Sequence, residues 1–168
     1  MEFMDVVRKR RSIRKYDPKK IVPDGKLMNI LEAARLAPSG SNRQSWKFIV
    51  VRDKEKKAKL AEACNRQMWI GDAGAAVVIC YPPVKDIDDM RLMRDSTIAA
   101  EHIILAATNE GLGSCWIGAL DQKAVRSLLS IPEEVGVNAV IAIGYSAEEP
   151  RQRMFKKRED IVCYDTYG

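Results

Sequence analysis

A cluster of basic side chains with one serine lies near the N-terminus, where residues 8–15 read Arg-Lys-Arg-Arg-Ser-Ile-Arg-Lys. A phosphate monoester carries about −1.5 to −2 charges near neutral pH, and the planar fork of an arginine binds it through paired hydrogen bonds. A serine hydroxyl adds one more donor. The cluster therefore predicts a phosphate site, although a solvated basic turn has the same composition.

A second polar segment, residues 38–46, reads Pro-Ser-Gly-Ser-Asn-Arg-Gln-Ser-Trp and separates a helix-like pattern from a strand-like one. Ser, Asn and Gln side chains can hydrogen-bond the carbonyl and imide edge of a planar ring. An ordinary connecting loop has this composition as well. Composition alone leaves both interpretations open.

Residues 111–119 are rich in glycine, and the tail contains a further group of cations at residues 156–158. The glycine spacing differs from a dinucleotide-binding fingerprint, and the segment leads into a strand rather than out of one. Gly118, at the end of that strand, would let a flat ligand approach the backbone closely.

Composition excludes several other chemistries. The 168 residues suit one domain, which we assign to residues 1–168. Four cysteines without a C-x-x-C pair, and a single histidine, argue against a disulfide framework, a metal site and an organised triad. The net charge of +5 suits an anionic ligand and leaves nucleic acid open. No apolar run is long enough to cross a bilayer, so we expect no membrane partner and a cytoplasmic location.

The pattern of apolar residues predicts alternating helices and strands. Helices are predicted at residues 4–11, 24–37 with Asp24 as its cap, 54–64, 86–110, and after a cap at Asp121; strands are predicted at 46–51, 75–81, 114–118 and 137–144. The alternation indicates a layered sheet with helices on it. The direction of the strands cannot be read from the pattern.

Two features predict a partner subunit. The long helix is apolar on nearly every face between Ile98 and Ala107, and such a helix should be buried all round. The tail, residues 148–168, is charged and then aromatic, without the apolar period of a core element. We therefore expect the tail to pack on another subunit.

Four motifs occur together in one order: R-R-S-I-R at residues 10–14, P-S-x-x-N-x-Q-x-W at 38–46, G-L-G-S-C-W-I-G at 111–118, and I-G-Y at 143–145 followed by K-K-R at 156–158. In these motifs the chain resembles the FMN-dependent nitroreductase family over nearly its whole length. The resemblance implies an α+β fold, a three-layer α/β/α sandwich with a mixed, largely antiparallel sheet, in an interlocked homodimer whose C-terminal tails exchange.

The resemblance also implies which residues bind flavin mononucleotide (FMN). Those similar to the family's phosphate and flavin-edge ligands are Arg10, Arg11, Ser12, Arg14, Lys156 and Arg158. Those similar to the segment that reaches the flavin ring from the other subunit are Pro38, Ser39, Gly40 and Asn42. Ile117 and Gly118 are similar to the backbone beside the reactive nitrogen of the flavin, and Gln67 to an amide on its pyrimidine side.

The implied activity is transfer of electrons from NADH or NADPH through FMN to a small electron-poor acceptor, such as a nitroaromatic, a quinone or a flavin, by a ping-pong mechanism. Because the chemistry is centred on the flavin, no catalytic side chain, no metal and no nucleic-acid partner are expected. Three alternatives stay open: a dehalogenase or flavin-fragmenting enzyme on the same scaffold, a non-enzymatic flavin carrier, and a nucleic-acid module. Residues 81–90 and 120–130, where longer relatives insert helices over the pocket, are brief in this chain.

Overall fold

The computed structural model describes residues 1–150 and 152–167, in which five α-helices and four strands are formed. The helices are α1 (Phe3–Lys9), α2 (Asp24–Arg35), α3 (Lys54–Ala63), α4 (Asp89–Asn109) and α5 (Gln122–Leu129). The strands are β1 (Lys47–Val51), β2 (Ala75–Tyr81), β3 (Gly113–Ile117) and β4 (Gly136–Gly144). These elements lie within a few residues of the predicted ones. The predicted tail includes Arg151 and Gly168, which lie outside the described residues.

The four strands form one sheet in the order β1-β2-β4-β3, and each neighbouring pair is antiparallel. A parallel bridge between Ser12 and Ser114 brings the segment after α1 beside the edge strand β3. The predicted mixed, largely antiparallel sheet is thus confirmed. The central strand β2 is buried along its whole length, which explains its unbroken apolar sequence.

Helices cover both faces of the sheet. Because side chains alternate along a strand, Val77 and Ile79 of β2 pack toward α2 and α4, whereas Val78 and Cys80 pack in the cluster that contains residues of α3 and α5. Each face has its own apolar core. This arrangement is the three-layer sandwich predicted from the resemblance.

The helix ends show which local signals were interpreted correctly. Asp121 caps α5, where its carboxylate accepts hydrogen bonds from the amides of Lys123 and Ala124. Asp24, by contrast, was wrongly predicted as a cap. Pro23 occupies the cap position, and Asp24 is the first residue of α2, with its carboxylate paired to Arg52.

Several apolar side chains of the described residues stay uncovered within one subunit. On α4, Ala99, Ile103 and Ala107 are buried, but Ile98 is 39% exposed. In the tail, Phe155 and Tyr164 are largely exposed. The helix that was predicted to be buried all round is therefore covered by its own chain on one side only.

Candidate functional site

The basic cluster predicted as a phosphate site lines a cavity of ≈ 530 Å³. Its described lining consists of Arg10, Arg11, Ser12, Arg14, Glu148, Pro150, Gln152 and Arg153. Four residues predicted from the N-terminal motif thus come together in one place. Four guanidinium groups face a single carboxylate, so an anion is the ligand that would balance the charge.

Backbone contacts position the cluster. After α1 the chain runs beside β3, where the Ile13 amide donates to the Ser114 carbonyl oxygen over 2.9 Å. The amides of Arg14 and Lys15 both donate to the Glu148 carboxylate, at 2.6 and 3.2 Å. The only carboxylate of the described lining therefore holds the backbone of the cluster.

The close approach of this segment to β3 requires a glycine. A Cβ atom added at Gly113 would lie 2.7 Å from Cγ1 of Ile13, which is far closer than ordinary carbon–carbon contacts. Gly113, in the glycine-rich motif, therefore has a packing role.

The arginines of the cluster differ in their surroundings. Burial lowers the pKa of Arg10, the charge of Arg153 lowers this pKa further, and Glu101 opposes both effects. The Arg11 guanidinium donates to the carbonyl oxygens of Arg8 and Arg10, at 2.6 and 2.8 Å, and so supports the turn after α1. Arg10 remains protonated because an arginine does not lose its proton in proteins. Its half-buried charge is the most direct candidate contact for an anion.

Ile117 and Gly118 lie at the far end of β3 from this cluster. Ile117 is three positions after Ser114, which is about 10 Å along a strand. Ile117 is buried and Gly118 is exposed. A Cβ atom added at Gly118 would meet only the Trp116 indole, at 3.4 Å. The chain's own packing does not demand glycine there, which suits a ligand lying against the backbone.

Gln67 lies just before a 3₁₀ turn at Met68–Ile70. Its side-chain oxygen accepts a hydrogen bond from the Trp69 indole over 2.9 Å, and the Trp69 ring is 6.2 Å from that of Tyr16. Trp69, Tyr16 and Ile117 belong to one cluster on the sheet face that α3 and α5 cover. Gln67 therefore lies on the same side of the sheet as the Ile117 side chain at the end of β3.

The segment that contains Pro38, Ser39, Gly40 and Asn42 lies elsewhere. None of these four is among the described residues that line the cavity around Arg10. A 3₁₀ turn spans Gly40–Asn42, and the Gly40 amide donates to the Asp95 carboxylate over 3.0 Å. Within one subunit, the two groups of predicted flavin ligands are thus separate.

The predicted tail cations Lys156 and Arg158 are exposed and are not among the described lining of the cavity. Arg153 takes the place of a tail cation there. Neither Arg153 nor Glu148 was predicted, and the contact between Arg14 and Glu148 spans 134 residues of sequence. Asp95 was missed as well, because its contact with Gly40 spans 55 residues of sequence.

A larger surface groove of ≈ 780 Å³ lies between α3 and α5, lined among others by Glu62, Arg66 and Asp121. None of the predicted ligands lines it, and its charges are of both signs, so its size alone does not identify it as the site.

His102 contacts its own helix, with Nδ1 2.9 Å from the Ile98 carbonyl oxygen. In the described ranges there is no cluster of His, Cys, Asp or Glu side chains suited to a metal ion. No helix of those ranges has the length and apolar character needed to cross a membrane.

The fold and the cavity define the chain as a three-layer α+β protein with a cavity lined by basic side chains at the edge of its sheet. The model of the nitroreductase family matches residues 7–85 and 72–145. The chain belongs to this family, and the predicted family and oxidoreductase class are confirmed.

Three similar proteins illustrate the relationship. A protein of Archaeoglobus fulgidus with the provisional name NADH dehydrogenase/NAD(P)H nitroreductase is 42% identical over 154 residues, which cover 88% of this chain and 87% of the relative. The structure of an FMN-dependent nitroreductase from Clostridium difficile R20291 has a TM-score of 0.86 and 35% identity, and the match covers 98% of this chain and 99% of that one. An iodotyrosine deiodinase of Thermotoga neapolitana is 26% identical, with 97% of each chain covered.

Proposed function

We propose that the protein binds FMN and transfers electrons from NADH or NADPH to small electron-poor acceptors. The observation that carries this proposal is the cavity in which Arg10, Ser12 and Arg14 meet beside β3. The similar structure from C. difficile is named as FMN-dependent, and the relative from A. fulgidus is named for NAD(P)H. Both names agree with a phosphorylated flavin as the ligand.

The side chains have distinct proposed roles. Arg10 and Ser12 hold the phosphate, with Lys156 and Arg158 closing on it from the tail, while Arg11 keeps the turn in place. Arg14 and Gln67 hydrogen-bond the edge of the ring. The roles of the N-terminal residues agree with the excess of donors over acceptors in the cavity, whereas those of Gln67, Lys156 and Arg158 follow the family resemblance.

The backbone of Ile117 and Gly118 lies against the ring near its reactive nitrogen. The segment that contains Pro38, Ser39, Gly40 and Asn42 reaches the ring of the partner subunit, which agrees with its separation from the cavity of its own chain. FMN held by these residues would supply the redox chemistry, a ping-pong transfer of electrons from the nicotinamide to the acceptor.

No side chain acts as an acid or base in this mechanism. His102 faces the backbone of α4, and burial raises the pKa of the Cys115 thiol, which leaves it protonated near neutral pH. His102→Gln is therefore expected to keep turnover within about tenfold of the parent, a barrier change of about 1.4 kcal/mol or less. A much larger loss of turnover, at unchanged FMN content and thermal stability, would assign a catalytic role to His102.

A homodimer is part of the proposal, because the uncovered side of α4 and the aromatic tail both need a partner surface. Ile98, Phe155 and Tyr164 are exposed in one chain. The tail packs on the partner subunit and brings its cations to the phosphate.

The acceptors are nitroaromatics, quinones and free flavins, since little of the chain is available to cover the ring. Only residues 82–88 connect β2 to α4, and only 118–121 connect β3 to α5. A second candidate activity is reductive dehalogenation, which the similarity to the iodotyrosine deiodinase favours. The match to that relative runs over 186 aligned positions, more than the 168 residues of this chain, so the relative carries inserted residues that this chain lacks.

The decisive experiment is the visible spectrum of the purified protein, followed by anaerobic titration with NADH and with NADPH and then by addition of acceptors. A flavin spectrum that bleaches with a nicotinamide and returns with a quinone or nitroaromatic supports the proposal. Reoxidation by an iodinated tyrosine alone would favour the dehalogenase. A bound flavin that neither nicotinamide reduces would indicate a carrier, and a colourless protein with salt-dependent nucleic-acid binding would overturn the proposal.

A further inference from the structure

We propose that Asp95 of α4 is a positioning residue, which fixes the conformation of residues 38–42 and thereby the environment of the flavin ring that they reach. This inference rests on the proposed function. No role for Asp95 follows from the sequence motifs, because it lies outside all four of them.

Asp95 connects two groups of the loop at once. One carboxylate oxygen accepts from the Gly40 amide, and the other accepts from Nη2 of Arg43, each over 3.0 Å. The side chains of Asp95 and Arg43 are only 8% and 19% exposed. A buried carboxylate with both oxygens engaged by a cation and an amide is held in one orientation, and so are its partners.

Gly40 and Arg43 are also packed against each other. A Cβ atom added at Gly40 would clash with Nη2 of Arg43. The guanidinium therefore occupies the space that a side chain at position 40 would take. Gly40, Arg43 and Asp95 form one unit, in which each member determines where the next can lie.

The loop needs such an anchor because of its backbone. Ser41, Asn42 and Gln44 have φ values of 52°, 55° and 53°, the left-handed region that non-glycine residues seldom adopt. Residues in such conformations persist where their surroundings fix them. Ser39 contributes within the loop by accepting from the Gln44 amide over 2.9 Å, whereas Asp95 ties the loop to a long helix.

Helix α4 also reaches the phosphate side of the site. Glu101 and Ile104 line a smaller cavity of ≈ 180 Å³ together with Arg10 and Ser12. Asp95 precedes Glu101 by six residues, about 9 Å along the helix. Helix α4 therefore fixes the position of residues 38–42 relative to the basic cluster of the same chain. In the proposed dimer, these residues reach the flavin of the partner subunit.

The test compares FMN affinity with the visible circular dichroism of the bound flavin, which reports on groups around the ring. Asp95→Ala should raise the FMN dissociation constant by roughly tenfold, because residues 38–42 lose their anchor and must be ordered when FMN binds, and should change the circular dichroism of the flavin that stays bound. Glu32→Gln, which breaks the exposed pair between Glu32 and Arg35, is the matched control and should change neither.

A second variant separates positioning from misfolding. Asp95→Ala leaves the Arg43 charge without its partner, which can itself destabilise the fold. Asp95→Asn combined with Arg43→Gln removes both charges, so the apoprotein should unfold near the parent temperature while the circular dichroism of bound flavin still differs from the parent.

The outcomes are distinct from those of the proposed function. Parent-like affinity and parent-like circular dichroism in both Asp95 variants would overturn the role of Asp95, with FMN binding by the parent intact. A parent protein that binds no FMN would overturn the proposed function, and the inference with it, before any variant is made.

Discussion

At the scale of the residue, Arg10 differs from the basic side chains around it. It is half-buried, and its guanidinium forms no hydrogen bond with another described residue, whereas Arg11 is bonded to the turn after α1. Burial lowers the pKa of Arg10, the charge of Arg153 lowers it further, and the charge of Glu101 raises it. A half-buried guanidinium that forms no hydrogen bond with the described residues favours the binding of an anion.

We predict that Arg10→Ala weakens FMN binding by about 1.5–3 kcal/mol, because the substitution removes a charge-assisted hydrogen bond to the phosphate. Fluorescence titration of the apoprotein with FMN measures the change. Arg8→Ala removes an exposed charge that, among the described residues, pairs only with Asp5, at 3.8 Å, and serves as the control. Equal FMN affinity in the Arg10 variant and the parent would contradict the assignment of the cavity.

At the scale of the element, local sequence signals predicted the helices and the cap of α5 well. Contacts between residues that are distant in the sequence could not be predicted. The cap of α5 at Asp121 depends on amides two and three residues away, so the sequence suffices to find it. Asp24 was misread because its partner Arg52 is 28 residues distant. The contact of Asp95 with Gly40 spans 55 residues, and no local pattern reports on such a pair.

The candidate site follows the same division. The residues of the motif at 10–14 were expected to form one phosphate site, and its arginines and serine do line one cavity. Glu148, which holds the backbone of Arg14 and Lys15, could not be predicted because the contact forms only when the end of β4 returns to the N-terminus. The antiparallel order of the strands was likewise taken from the family resemblance and not from periodicity.

We predict that Asp121→Ala lowers the free energy of unfolding by about 0.5–2 kcal/mol, because two amides at the start of α5 lose their acceptor. Urea denaturation at one fixed protein concentration measures the change, since dissociation of subunits would otherwise contribute. Lys123→Ala, on the same turn, leaves the cap in place and should stay within about 0.5 kcal/mol of the parent. If Asp121→Ala had the same free energy of unfolding as Lys123→Ala, water would be replacing the carboxylate as acceptor for the two amides without loss of stability.

At the scale of the whole molecule, the uncovered apolar surface is the dominant feature. Phe3 and Met4 of α1, Met28 of α2 and Phe155 of the tail are each at least 50% exposed. Isolated apolar side chains on a surface are ordinary, but this many on neighbouring elements and a tail are typical of a surface that another chain covers.

We predict a dimer that buries roughly 2,000–5,000 Å² in total, the range of interfaces between subunits that fold together. Sedimentation velocity of the FMN-loaded protein should give a single dimeric species at micromolar concentration. Removal of residues 154–168, which keeps Glu148 and Arg153 in the cavity, should weaken both dimerisation and FMN binding, since the tail is proposed to contribute to both. A folded monomer that retains FMN at these concentrations would exclude the interlocked arrangement.

The separation of the two ligand groups within one chain has a genetic consequence. If each flavin lies between the basic cluster of one subunit and the 38–42 segment of the other, then two differently defective alleles can complement each other. Co-expression of Arg10→Ala with Asn42→Gly, a change that keeps the left-handed backbone at position 42, would place both lesions at one site of each mixed dimer and leave its other site intact. Random pairing would then restore about a quarter of all sites, whereas Arg10→Ala mixed with Ser12→Ala, two lesions in the same cluster, would restore none.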